Sequence, residues 1–256
     1  MKLSGSSVLV TGAAAGLGAA TARHLHANGA CVVAFDLQAA GARATATALG
    51  AGAGWSAGDA TDEQAVETAL QTATELAPLR GIVACAGGAT ASIRTLDRGG
   101  KPHDYETFTS IVAMNVFTTF NTLRLAAKVM AENEPDEDGE RGAIVLTSSL
   151  AGFEGQIGQL AYAAAKGAIN SMTLTAARDL AVVGIRVNTI APGTIATESW
   201  DLAPTELREG LEKKVPFPPR FGRPGEFAAL AEHMLTNGYL NGQITRLDGA
   251  IRFGPR

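Results

Sequence analysis

The chain has 256 residues, 46% apolar and 18% charged, with a formal net charge of −4. That length can bury a large core without metals or disulfides, and the acidic balance argues against a general binder of nucleic acid or anionic membrane. Cys31 and Cys85 sit in apolar runs and read as inert thiols of a reducing compartment; no Cys or His cluster has ligand spacing, so no metal is expected.

Strand-like and helix-like stretches alternate along the chain. Ser7–Thr11 reads as a strand, and Gly18–Asn28 as a helix closed by Asn28-Gly29. A strand at Cys31–Asp36 and a helix at Ala39–Leu49 follow, then a short strand near Trp55–Ala57. Asp62–Leu76 is a helix capped by Asp62, and Gly81–Ala86 is the fourth strand. The loop Gly87–His103 carries Arg94, Arg98 and Lys101. A long helix spans Asp104–Ala131, and Glu132–Arg141, with six acids, reads as a solvated surface turn. Ala143–Ser149 (strand), Gln159–Val183 (helix) and Ile185–Ala191 (strand) come next. Thr194–Arg223 is irregular with a short helical patch, and the chain closes with a helix at Pro224–Asn237 and a strand at Gln243–Leu247.

Several strands are apolar at consecutive positions, as expected when both faces are covered. The rhythm predicts an α/β fold: a doubly wound parallel sheet of about seven strands with helices on both faces. No linker or repeat interrupts it, so residues 1–256 read as a single domain. No apolar run approaches the roughly 18 residues of a membrane span. The early first strand leaves no room for a leader, so a cytoplasmic protein with no membrane partner is expected.

Gly12-x3-Gly16-x-Gly18 lies between the first strand and the first helix. Such glycines permit a tight turn, and the helix start presents free N–H groups to a diphosphate. With Ala15 and Leu17, they form a candidate dinucleotide cradle. Asp36 ends the second strand, where an acid accepts hydrogen bonds from adenosine ribose hydroxyls and repels a 2′-phosphate. Neither Ala13–Ala15 nor Leu37–Ala40 contains a Lys or Arg, so NAD is favoured over NADP. Asp59-Ala60 and Cys85-Ala86-Gly87 follow the third and fourth strands, placed to meet the adenine and the ribose.

Ser149, Tyr162 and Lys166 stand in the pattern Ser-x12-Tyr-x3-Lys. Tyr162 and Lys166 share a helix face. A free tyrosine titrates near 10, so a neutral-pH base needs about 4 kcal/mol of help. An ammonium at about 4 Å supplies that much at an effective dielectric near 20. Ser149, at the strand end, is placed to hold a substrate oxygen; Ser148 is the competing hydroxyl. Asn115, inside the long helix, is unfavourable there and is a candidate to hold a water on a proton path from Lys166, or else a satisfied buried group.

These motifs, with Pro192-Gly193, resemble the short-chain dehydrogenase/reductase family over essentially the whole chain. The resemblance implies a Rossmann-type sheet, a homotetramer, and a catalytic tetrad of Asn115, Ser149, Tyr162 and Lys166. It also implies cofactor contacts from Tyr162, Lys166, Pro192, Gly193 and Ile195. Phe153-Glu154-Gly155-Gln156-Ile157-Gly158-Gln159, Val215-Pro216-Phe217-Pro218 and Arg246-Leu247-Asp248-Gly249-Ala250-Ile251-Arg252 are similar to the 3-hydroxyacyl-CoA dehydrogenases within that family. The implied reaction is reversible, NAD-dependent oxidation of a 3-hydroxyacyl-CoA to a ketone, with Ser149, Gln156 and Tyr162 on the substrate. Arg94, Arg98, Lys101, Arg220 and Arg223 are candidates for the CoA phosphates. The alternatives are a secondary-alcohol or hydroxysteroid dehydrogenase, an acyl-carrier-protein-linked ketone reductase (disfavoured by Asp36), and a non-catalytic dinucleotide sensor or scaffold. The loop Ser199–Lys214 departs from the subgroup pattern, and Cys85 stands where the wider family carries Asn.

Overall fold

A computed structural model describes residues 1–88, 92–200 and 204–255. Parts of the loops Gly87–His103 and Thr194–Arg223, at 89–91 and 201–203, lie outside them. Seven strands form one sheet: β1 (Ser7–Thr11), β2 (Cys31–Asp36), β3 (Ala53–Ala57), β4 (Leu79–Ala84), β5 (Gly142–Thr147), β6 (Ile185–Pro192) and β7 (Ile244–Leu247). Their order is β3-β2-β1-β4-β5-β6-β7, all pairs parallel. Chain order reverses between β1 and β4, which opens a crevice at the carboxyl ends of these strands. The doubly wound α/β fold is thus the one the alternation predicts.

The helices are α1 (Gly16–Ala27), α2 (Ala39–Leu49), α3 (Glu63–Leu76), α4 (Tyr105–Val112), α5 (Thr118–Met130), α6 (Leu160–Leu180), α7 (Thr205–Glu212) and α8 (Pro224–Thr236). Two hydrophobic layers sandwich the sheet, and strand alternation sorts residues between them. Leu9, Val33, Ile82 and Ile144 face Val66 and Leu70 of α3 and Ala126 of α5. Val8, Val10, Val32 and Val145 face Leu25 of α1 and Phe227 and Met234 of α8. Each such aliphatic side chain contributes about 1.5–3 kcal/mol when fully buried. Asp62 caps α3 through its carboxylate, which accepts from the N–H groups of Gln64 and Ala65.

Three expectations are refined. The predicted helix Asp104–Ala131 is divided by a π-turn at Ala113–Phe117. The fourth strand leaves the ladder at Ala84, so Cys85–Gly88 form a turn lining the crevice. The acidic stretch Glu132–Arg141 is not wholly solvated. Glu140 is buried and accepts from Nε and an NH2 group of Arg186 at 3.1 and 2.8 Å, and from the Met1 amine at 2.9 Å. The same guanidinium donates to the carbonyls of Met234, Leu235 and Leu240, tying β6 to the end of α8. A tertiary partner 46 residues away, not local composition, buries this acid.

Candidate active site

The crevice begins where β1 turns into α1. Gly12 has φ +67°, and a Cβ there would stand 2.8 Å from the backbone of Cys85 and Ala86. A Cβ on Gly18 would stand 2.1 Å from the Gly12 carbonyl oxygen. Only glycine permits these approaches. The first turn of α1 carries no acid, and Ala15 offers no side-chain cap, so the helix end presents N–H groups to the crevice. The Thr11 hydroxyl accepts from the N–H of Ala86, locking the β1 turn to the β4 turn.

Asp36 holds its own surroundings in order: one carboxylate oxygen accepts from Ala14 N–H and the other from Gln38 N–H, both at 2.9 Å. Asp59 accepts from Thr61 N–H in a tight turn. A cavity of about 840 Å³ is lined by Gly12, Ala15, Gly16, Leu17, Gly18, Asp36, Asp59, Ala60, Cys85, Ala86 and Gly87. That is the size of a small-molecule site. Leu37, Gln38, Thr197 and Glu198 also line it and were not anticipated. Leu37 and Gln38 follow Asp36 directly and were legible as neighbours; nothing local to Thr197 and Glu198 places them there. Burial pushes the Cys85 thiol up to about 11, so it is inert as expected.

The tetrad candidates gather from three elements. β5 ends at Thr147, and the chain turns through a short 3₁₀ segment, Leu150–Gly152, capped by Ser149. Ser148 points inward and donates to the Lys166 carbonyl at 3.0 Å, whereas the Ser149 hydroxyl accepts from Ala151 N–H at 3.2 Å and acts on the Tyr162 phenol, favouring its ionised form. A Cβ on Gly152 would stand 2.9 Å from the Lys166 backbone. This close packing of turn on α6, which sequence spacing does not reveal, brings Ser149 and Tyr162 together.

The electrostatics differ from the simple pair. Lys166 Nζ donates to the Thr147 carbonyl at 3.0 Å and lies 5.7 Å from the centre of the Tyr162 ring. Burial raises the Tyr162 phenol above its ordinary value, against the opposing influence of the Ser149 hydroxyl. Burial also lowers Lys166 to about 8. Desolvation is the largest cause at both groups, because each charged form loses water. Burial thus works against the ionisation that the pair, together with a positive nicotinamide ring, is expected to supply.

Asn115 sits in the π-turn, fully buried. Its amide donates to the carbonyls of Gly88 and Ile111, and its oxygen accepts from Gly88 N–H. Both amide protons are spent. The side chain braces the β4 turn against the α4–α5 helix.

Tyr162, Lys166, Pro192, Gly193 and Ile195 do not line the 840 Å³ cavity. Pro192 ends β6, Gly193 N–H donates to the Leu247 carbonyl, and Ile195 is buried and bridged to Gly222. Gln156 lines a separate depression of about 390 Å³ with Arg94. It is held there by the Gly254 carbonyl at 3.3 Å. Its neighbour Glu154 binds Arg246 at 2.8 Å and Phe253 N–H at 2.9 Å, clamping the C-terminal segment on this loop. Arg98 and Lys101 are exposed on a turn organised by Asp97. Arg220 is committed to Glu226 at 2.7 and 3.0 Å, which removes it as a free phosphate ligand; Arg223 begins α8.

The family model for short chain dehydrogenases matches residues 6–207. The 3-hydroxyacyl-CoA dehydrogenase type-2 of Homo sapiens is 45% identical over 252 residues, covering 98% of this chain and 97% of that protein. The ipsdienol dehydrogenase of Ips pini is 33% identical over 254 residues, covering 98% and 99%. The crystal structure of a 3-hydroxyacyl-CoA dehydrogenase type-2 from Mycobacterium avium superposes with a TM-score of 0.95 at 47% identity, covering 98% of each chain.

Proposed function

The chain belongs to the short-chain dehydrogenase family, and from that premise we propose that it oxidises the 3-hydroxyl of 3-hydroxyacyl-CoA thioesters reversibly with NAD. The observation that carries the chemistry is the placement of Tyr162 beside the Ser149 hydroxyl, one turn from buried Lys166, whose ammonium lies 5.7 Å from the centre of the phenol ring. The substrate class rests on the two 3-hydroxyacyl-CoA dehydrogenases above, at 45% and 47% identity over nearly the full chain.

The cradle fits a dinucleotide because a Cβ at Gly12 or Gly18 would fill the turn. Gly12, Gly16, Gly18 and the start of α1 would hold the diphosphate. Asp36 would hold the adenosine ribose and favours NAD over NADP. Asp59 and Ala60 would meet the adenine, Cys85–Gly87 the ribose, and Lys166, Pro192, Gly193 and Ile195 the nicotinamide half. When bound, oxidised NAD supplies a hydride acceptor for the carbinol carbon and a positive ring charge.

Ser149 and Tyr162 orient the substrate hydroxyl. Tyr162, once ionised, takes its proton. Lys166, held on the Thr147 carbonyl, keeps positive charge beside the phenolate. A base of this kind contributes roughly 10² to 10⁴ in rate. Gln156 and Arg94 line the side where the acyl-CoA would enter.

The test compares NADH formation from a short 3-hydroxyacyl-CoA, a free secondary alcohol and a steroid alcohol. The thioester is expected to be preferred, and Tyr162→Phe is expected to abolish turnover. Equal or better turnover of the CoA-free alcohols would reject the substrate class and favour the second reading, a secondary-alcohol dehydrogenase like the Ips pini relative. Full turnover by Tyr162→Phe would reject the mechanism.

The proposal includes one domain over residues 1–256 and a homotetramer. Met114, Phe117 and Phe120 of the α4–α5 region and Leu160 and Leu174 of α6 leave apolar surface exposed at 40–55%, which a second copy would cover. Light scattering reads the assembly. Among the described residues no helix is long and apolar enough to cross a membrane, and two free cysteines suit a reducing, cytoplasmic setting.

A further inference from the structure

We propose that Glu198 is an affinity-determining residue: its carboxylate competes with the cofactor diphosphate for the N-terminal end of α1. Glu198 Oε2 accepts from the Gly16 N–H at 3.0 Å, across 182 positions of sequence. The first turn of α1 has no acid of its own, and Ala15 contributes no cap. Glu198 thus supplies the negative charge that a helix start favours. Its contact lies within the lining of the 840 Å³ cavity, not outside it.

The loop that carries Glu198 is held against the cradle by several contacts. Ala196 N–H donates to the Gly222 carbonyl, and Trp200 packs on Phe221 with ring centres 5.0 Å apart. Thr197 Cγ2 would stand 3.4 Å from a Cβ built on Gly16. Among the described residues no Lys or Arg forms an ion pair with Glu198, so no cation neutralises it there. A diphosphate at the same helix end must displace this carboxylate from the N–H and then tolerate its charge nearby. The residue therefore weakens dinucleotide binding, and the loop must yield for the cofactor to seat.

This rests on the reading of the cavity as a dinucleotide site, and the experiment separates the two. Dissociation constants for NAD and for ADP-ribose are measured by calorimetry on the full chain and on Glu198→Gln and Glu198→Ala. Both variants are expected to bind both ligands about three- to thirtyfold more tightly, the scale of a charge at a helix end. ADP-ribose has the diphosphate without the nicotinamide, so it is expected to gain by the same factor. The gain shrinks as salt is raised. A damaged protein does not bind tighter, so the expected direction is not a folding artefact. Variant constants equal to or weaker than those of the parent overturn the proposal, as does a gain confined to NAD. If the parent binds neither ligand, the reading of the cavity falls and the proposal with it. If the parent binds both and the ratio is unmoved, only the proposal falls.

Discussion

Replacing Lys166 by Met is expected to stabilise the protein near neutral pH while removing its activity. The side chain is buried, and burial lowers its pKa from 10.5 to about 8. That fall corresponds to about 3 kcal/mol of differential desolvation. Below pH 8 the lysine is charged in both states, and the folded state carries the whole penalty. Between 8 and 10.5 the unfolded chain holds a proton that the folded chain has released, so stability rises with pH. Tyr162 acts in the opposite sense, since its raised pKa lowers stability only once pH passes its ordinary value of 10. Methionine keeps the length and removes the charge, but it forfeits the 3.0 Å hydrogen bond to the Thr147 carbonyl, worth about 1 kcal/mol. The net expectation at pH 7 is a gain of about 1–2 kcal/mol, or about 2–8 °C in melting temperature. By about pH 9.5 the parent recovers about 2 kcal/mol relative to the variant. Urea unfolding of both proteins across this range measures it. Turnover is expected to fall by roughly 10²-fold or more. A variant less stable than the parent at pH 7, or a stability difference that ignores pH, would refute the reasoning.

Gly18→Ala would drive a Cβ to 2.1 Å from a backbone oxygen; the expected cost is about 1–3 kcal/mol with a large loss of NADH affinity by fluorescence titration. Gly225→Ala meets nothing within 4 Å and is expected to leave binding unchanged and add about 0.4–1 kcal/mol. Equal behaviour of the two variants would contradict the cradle argument. Glu140→Ala strands the Arg186 guanidinium and is expected to cost about 3–5 kcal/mol in denaturant unfolding. The double variant Glu140→Leu with Arg186→Met is expected to lose less than the single one; additive losses would show the two residues are not coupled.

The sheet, its helices and the crevice were legible because they depend on short-range patterns. Alternation of Val8, Leu9 and Val10 sorts side chains to two faces, and apolar residues on both faces announce a covered strand. Gly12 and Gly18 mark a turn whose backbone contacts exclude a side chain. The spacing of Tyr162 and Lys166 needs only a helix to share a face. Spacing favours Ser149 over Ser148, and the Ser148 hydroxyl is engaged with the Lys166 carbonyl.

What the tertiary structure alone decided involves partners far apart in the chain and the water they lose. Glu140 lies in an acid-rich stretch whose local pattern is that of a solvated turn, yet Arg186 and the Met1 amine bury it. Glu198 reaches Gly16 across 182 positions, and no local rule places a loop carboxylate at a distant helix start. Asn115 reads as an awkward mid-helix residue until the Gly88 backbone meets it in a π-turn. Lys166 shares a face with Tyr162, but its ammonium goes to Thr147, and burial moves both groups away from ionisation. Periodicity and turn chemistry are properties of neighbours in sequence, whereas desolvation and long-range pairing depend on which surfaces the fold brings together.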